Sequence, residues 1–231
     1  AHPPQQAGRL MKACSNIRAV VFDLDGTLLD TVPDLGESAN AALRRFGMPA
    51  MPARDYQPRI GHGIRSLMLQ SVPEGTPEAL FEQVLAFYLA YYPEHCTEHT
   101  QIYPGVAELL EKLQGAGYVL AVLSSRTERT AQRIISHFFP QTPFRFVWGN
   151  NGVRPLKPAL DAGSGLCAAL SLRPEEILYL GDGDSDMEFA SKMGFFAAGA
   201  AWGYRSREAL AENGADAVLE QASDLEMLLR L

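Results

Sequence analysis

From Tyr118 onward, short apolar runs rich in β-forming residues alternate with stretches of helical periodicity, and this alternation narrows the possible folds more than any other feature. The apolar runs fall at 118–124, 144–148, 177–180, 195–198 and 217–219, with helical patterns between them at 128–138, 159–170, 184–193 and 207–213. A helix between two strands carries the chain back to the end where the first strand began, so the strands lie parallel. A further run at 19–22 brings the number of strands to about six.

The span 34–100 interrupts the pattern. It holds no strand-like run and shows helical patterns at 35–46, 64–71 and 77–92. Thr76-Pro77 suits a helix start, and Leu80, Val84, Tyr88 and Tyr91 recur on one helical face as core side chains. Pro104-Gly105 opens another helix, which Gly115 and Gly117 end. The expected fold is therefore α/β: a Rossmann-like parallel sheet core of about six strands, built from 17–33 and 101–231, with an inserted all-helical cap domain at 34–100. Residues 1–16 lack the charged-then-apolar pattern of a signal peptide and are expected to form a flexible tail.

Composition excludes several classes of function. The 231 residues are 47% apolar and 20% charged, and no apolar stretch approaches the roughly 20 residues that cross a bilayer, so no membrane partner is expected. A net charge of -7 argues against nucleic acid, whose phosphate backbone wants clustered Lys and Arg. A small phosphorylated metabolite can still be held by local cations. The cysteines, Cys14, Cys96 and Cys167, form neither a CxxC pair nor a disulfide framework, which suits a cytoplasmic location. Monomer and homodimer both remain open.

In open parallel sheets, ligands bind beyond the carboxyl ends of the strands. Polar residues gather at those ends here: Asp23 and Asp25 after the first run, Ser124 and Ser125 after the second, Lys157 in a later loop, and Asp182 and Asp186 after 177–180. The set combines carboxylates suited to a hard cation, a lysine point charge, hydroxyls and a Gly-rich turn whose N–H groups can cradle oxygens. Together these describe a phosphoryl-transfer site. Several aspartates and no His or Cys cluster favour Mg2+ as the metal.

Asp23-Leu24-Asp25-Gly26-Thr27, Ser124, Lys157-Pro158 and Gly181-Asp182-x-x-x-Asp186, in that order, resemble the four motifs of the haloacid dehalogenase superfamily. Within it the chain looks most like the phosphoglycolate phosphatase group, through Asp30-Thr31-Val32-Pro33-Asp34-Leu35, Ile60-Gly61-His62-Gly63 and Ala201-Trp202-Gly203-Tyr204. Pyrophosphatases and sugar-phosphate phosphatases or mutases of the superfamily are the alternatives, and a non-catalytic binding protein is the reading from another class.

The resemblance implies a magnesium-dependent phosphatase. Asp23 would attack phosphorus and become an aspartyl phosphate, while Asp25 would serve as general acid and base. Asp182, Asp23 and the backbone carbonyl of Asp25 would hold the metal, with Asp186 behind them contacting it through water or orienting Lys157. Lys157, Ser124, Ser125, Gly26 and Thr27 would bind the phosphoryl oxygens. Where the family frequently has Asn-Lys after the motif serine, this chain has Ser125-Arg126, which implies a changed substrate rim. The cap would close over the site, with Arg65 and His62 as candidate substrate contacts.

Other groups read as structural. His95, Cys96 and His99 have metal-like spacing but no fourth ligand. Asp184 reads as a helix cap, and Arg126, Arg129 and Arg133 as a solvated helix face.

Overall fold

The computed structural model describes residues 14–155 and 157–231. Strand β1 (Ala19–Phe22) is followed by β2 (Leu29–Asp30), and β3 (Gln101–Ile102) lies antiparallel to β2. Then come β4 (Val119–Thr127), β5 (Phe144–Asn150), β6 (Ile177–Gly181), β7 (Phe196–Ala200) and β8 (Ala217–Leu219). All but β2 and β3 form one parallel sheet in the order β5-β4-β1-β6-β7-β8. The all-buried β1 sits in the middle, with Ala19 opposite Val119 on one side and Ile177 on the other.

Between β2 and β3 run only helices: α1 (Val32–Arg45), a 3-10 turn at Ala53–Arg59, α2 (Ile64–Leu69) and α3 (Glu78–His95). The two-residue β2–β3 pair, absent from the sequence reading, ties together the outgoing and returning chains of this insertion. The remaining helices are α4 (Val106–Gly115), α5 (Glu128–Phe138), α6 (Leu160–Leu170), α7 (Asp184–Met193), α8 (Arg207–Glu212) and α9 (Ala222–Leu229).

Successive side chains on a strand point to opposite faces, so β1 divides its apolar residues between two cores. Val20 and Phe22 pack with Leu109 of α4, Ile134 of α5 and Leu225 of α9 in a core that continues into the insertion. Ala19 and Val21 pack with Leu166 of α6, Phe189 of α7 and Leu210 of α8. In the insertion, α3 buries Phe81, Val84, Leu85, Tyr88 and Tyr92. The buried stripe is thus set one residue from the expected one at both ends, and Leu80 and Tyr91 are only half-buried. A 3.6-residue period keeps 81, 85, 88 and 92 on one side more closely than 80, 84, 88 and 91.

Of the expected flexible tail, residues 1–13 lie outside the described residues, while Cys14–Asn16 form a 3-10 turn with Cys14 buried. Among the described residues no helix is long and apolar enough to cross a membrane.

Candidate active site

The chain runs from β1 outward through β4 and β5, then returns to place β6, β7 and β8 on the other side of β1. Loops leaving β1 and β6 therefore diverge, and the crevice between them is where a parallel sheet accepts a ligand. Asp23 leaves β1 with its backbone N–H bonded to the Leu180 carbonyl at 2.8 Å, which carries the ladder to the acid itself.

A tight turn follows. Gly26 has φ +81, and its N–H reaches the Leu29 carbonyl at 2.9 Å. A Cβ on Gly26 would lie 2.1 Å from Asp182 Oδ2, so only glycine lets the β1 and β6 loops approach this closely. Thr27 Oγ1 donates to Asp182 Oδ1 at 2.9 Å and the Tyr204 N–H donates to Oδ2 at 2.8 Å, while Trp202 Nε1 donates to the Thr27 carbonyl at 3.0 Å. Gly203 is held as tightly, since a Cβ there would stand 2.4 Å from the Gly26 carbonyl. The Trp202-Gly203-Tyr204 segment thereby clamps the loop that carries the acids.

Lys157 is the centre of the charge arrangement. Its buried Nζ lies 2.8 Å from Asp23 Oδ1, 2.6 Å from Asp186 Oδ1, 2.8 Å from the Tyr179 hydroxyl and 3.1 Å from the Leu123 carbonyl. Burial alone would favour the neutral amine, but the charges of Asp186 and Asp23 outweigh it and hold Lys157 well above its ordinary pKa. Asp186, in the first turn of α7, also accepts the Gly183 N–H at 2.9 Å.

Oxygens of Asp23, Asp182 and Asp186 lie within 4.8 Å of one another. Burial, then the neighbouring Asp186, pushes Asp23 up to about 7, against the pull of Lys157. Burial, Asp23 and Asp186 drive Asp182 in the same direction, opposed by the hydrogen bonds from Tyr204 and Thr27. Three carboxylates share one ammonium, so the cluster carries excess negative charge on oxygen donors only. Such a set fits a hard divalent cation such as magnesium.

Asp25 stands apart from this cluster. Its carboxylate accepts from Thr31 Oγ1 and from Arg126, whose Nε lies 3.2 Å from Oδ2 and whose Nη2 pairs with Oδ1. Asp23 and Asp25 nevertheless line one small cavity of about 30 Å³ with Lys157, Asp182, Asp186 and Arg205.

Several expectations change at this level. Asp186, expected behind the metal ligands to reach the metal through water or to orient Lys157, does hold Lys157 at 2.6 Å, and the first turn of α7 also brings its carboxylate into the acidic cluster. The Thr27 hydroxyl is fully buried and committed to Asp182, so its side chain is not available to a phosphoryl group. Ser124 is buried and accepts the Arg126 N–H at 3.2 Å, while its neighbour Ser125 lines the cavity. Arg126 is no part of a solvated helix face: it is the penultimate residue of β4 and is 3% exposed, stacked over the Tyr92 ring at 4.8 Å from its centroid. Arg129 and Arg133 are exposed as expected, Arg133 pairing with Glu94 at 2.8 Å.

The two cap candidates do not join the site. Arg65 is bonded to Glu82 at the surface, and His62 is exposed. The insertion instead contributes Ile60 and Gly61, with Arg205 reaching across from the core to donate to the Ile60 carbonyl at 3.1 Å and to approach Asp184 at 3.6 Å. Arg205 directly follows the Ala201–Tyr204 signature, the one signal that could have singled it out. Asp184 is the first residue of α7 rather than its cap, which is Gly183. His95, Cys96 and His99 converge on nothing, since His95 pairs with Glu98, Cys96 with the Pro93 carbonyl and His99 with Asp34.

The family model described as haloacid dehalogenase-like hydrolase matches residues 20–200. A phosphoglycolate phosphatase of Chromobacterium violaceum is 31% identical over 219 residues, covering 93% of this chain and 97% of its own. One from Mannheimia succiniciproducens is 31% identical over 218 residues, 91% of this chain and 97% of its own. Among solved structures, a predicted phosphoglycolate phosphatase from Haemophilus somnus superposes with a TM-score of 0.86 at 27% identity, over 93% of this chain and 98% of that one.

Proposed function

This chain belongs to the haloacid dehalogenase-like hydrolases, and from that premise we propose that it is a magnesium-dependent phosphatase of small phosphate monoesters, with phosphoglycolate as the first substrate to test. The observation that carries the reading is Lys157 held between Asp23 and Asp186 in a buried acidic cluster at the ends of adjacent strands. The substrate suggestion rests on the relatives' names.

In this mechanism a carboxylate oxygen of Asp23 attacks phosphorus, the bond to the leaving oxygen breaks, and Asp25 gives that oxygen its proton. Water then attacks the aspartyl phosphate, Asp25 takes the water's proton, and inorganic phosphate leaves with Asp23 restored. Lys157 fixes Asp23 and places positive charge where phosphoryl oxygens arrive. Its three protons already face four acceptors, so an incoming oxygen displaces one of them. The Gly26 N–H is bonded to the Leu29 carbonyl and so does not join the oxyanion cradle, for which Ser125, lining the cavity, is the candidate. Asp23, Asp182 and the backbone carbonyl of Asp25, with Asp186 beside them, would hold magnesium, which offsets the repulsion between an anionic nucleophile and an anionic substrate.

Residues 34–100 act as a cap. A cavity of about 30 Å³ has room for little more than a water molecule, so this is a closed arrangement that must open to admit an ester. The test is phosphate release from a panel of monoesters, with phosphoglycolate and pyrophosphate included, in magnesium. Asp23→Asn should abolish release, and rapid quenching of the wild type should yield a phosphorylated peptide containing Asp23. Release undiminished in Asp23→Asn would overturn the mechanism.

A further inference from the structure

Among the described residues, four buried side-chain polar atoms have no hydrogen-bond partner: the hydroxyls of Tyr88 and Tyr92, Ser125 Oγ and Arg126 Nη1. Two belong to α3 of the insertion and two to the end of β4 in the core. They meet where the two parts touch: Arg126 lies over the Tyr92 ring, and Tyr92 stacks on Tyr88 with centroids 5.5 Å apart. A buried polar group left unpaired is destabilising, so several in one place call for something that pairs them.

We propose that Arg126, Tyr88 and Tyr92 form the recognition site for a carboxylate on the leaving group of the phosphate ester. The inference rests on the phosphatase reading above, and location is its first support. Asp25, the proton donor to the leaving oxygen in that reading, is gripped by Nε and Nη2 of Arg126, so the remainder of the leaving group lies on the Arg126 side of the cavity. The third guanidinium nitrogen is the one without a partner.

Chemistry is the second. Burial drives the hydroxyl pKa values of Tyr88 and Tyr92 upward despite the nearby Arg126 charge, so both stay protonated. Two phenols and a guanidinium nitrogen can all donate, and a carboxylate accepts at two oxygens.

Size and approach agree. Arg126 borders both a cavity of about 30 Å³ lined by Asp25, Ser125, Ile60 and Gly61 and a groove of about 550 Å³ lined by Tyr88 and Tyr92, so the carboxylate would lie where the two adjoin at Arg126. On the rim of that groove Arg133 is neutralised by Glu94 at 2.8 Å, which leaves Arg129 as one net positive charge on the approach to Arg126.

The test compares kcat/KM for phosphoglycolate with that for ethyl phosphate, which lacks the carboxylate, in the wild type, Tyr88→Phe, Tyr92→Phe and Arg126→Gln. The wild type should prefer phosphoglycolate by at least about 100-fold, and each phenylalanine variant should lower that preference by about 5- to 10-fold, chiefly through KM. Arg126→Gln should lower it further, with Arg126→Lys restoring part of it. Arg126→Gln also strips Asp25 of its partner and can misfold, so the phenylalanine variants, which remove one oxygen each, decide the matter. Equal efficiency toward the two esters, or a preference unchanged in both phenylalanine variants, overturns the carboxylate site and leaves the phosphatase reading standing. No turnover of any ester overturns both.

Discussion

Gly26 shows how one residue sets the distance between the loops that follow β1 and β6. Alanine there would need both a left-handed backbone and space that Asp182 occupies at 2.1 Å. Gly26→Ala should therefore cost about 2 kcal/mol or more in thermal denaturation and depress kcat together with magnesium affinity; a stable and fully active variant would show that the loop can shift at little cost. Lys157 makes the complementary case. Lys157→Met removes the only cation that, among the described residues, is bonded to the acidic cluster, while keeping its volume, and should reduce phosphate release by about 10³-fold or more. Lys157→Arg should recover little, because a planar guanidinium cannot replace an ammonium held among four acceptors. Steady-state kinetics on the folded variants checks both. The residues legible in the sequence were those whose spacing carries meaning: Asp23 and Asp25 on one strand exit, Asp182 and Asp186 on another. Arg126, Arg205 and the Thr27 hydroxyl were not, since whether a long or small polar side chain is buried depends on what the insertion and the β7 loop lay over it.

At the level of elements, the junction of insertion and core depends on Asp34 in the first turn of α1. It is 2% exposed and accepts the His99 N–H at 2.9 Å, the Thr100 N–H at 2.8 Å and Thr100 Oγ1 at 2.7 Å. One side chain thus joins the chain leaving for the insertion to the chain returning from it. Asp34→Ala should destabilise by about 2–4 kcal/mol, because the two buried donors of Thr100 and the part-buried His99 N–H lose their acceptor; chemical denaturation would detect this, and a loss under about 0.5 kcal/mol would mean that water or the backbone replaces the carboxylate. Strand β2, whose Leu29 faces Ile102, should loosen with it, visible as faster amide exchange at 29–30 and 101–102. Elements with strong period were legible: the six parallel strands, and α5 and α7 to within a residue. The 3-10 turn at Ala53–Arg59 and helix α9 were not. The first contains Pro58 and only one fully buried residue, Tyr56, and the second spans eight residues, too short to show its stripe.

For the whole molecule, the acidic cluster makes stability a function of pH and metal together. The Asp23 carboxyl is raised from 3.8 to about 7, chiefly by burial and then by Asp186, and Asp182 is raised in the same direction. A carboxyl whose folded pKa exceeds its unfolded one binds its proton more tightly in the folded state, so it favours folding at low pH and loses that contribution as pH climbs. Without metal, stability should therefore fall between about pH 4 and pH 7, by roughly 4 kcal/mol for Asp23 alone. Divalent cation reverses the relation: it competes with protons for the same oxygens and stabilises the ionised cluster by mass action, more strongly as pH rises. Melting temperatures measured in chelator should thus decline from pH 5 to pH 8, by about 2–4 °C per kcal/mol for a chain of this size. In millimolar magnesium the decline should flatten. The sharpest outcome concerns Asp23→Asn, which keeps an acceptor for Lys157 and removes the charge. In chelator at pH 8 it should melt above the wild type, and in magnesium the order should reverse, because the variant has lost a metal ligand. A wild type that gains stability across pH 5–8 without metal, or an Asn variant that melts lower in both buffers, would show that Lys157 and the loop N–H groups already satisfy the acids, leaving no electrostatic reason for the cluster to hold a cation.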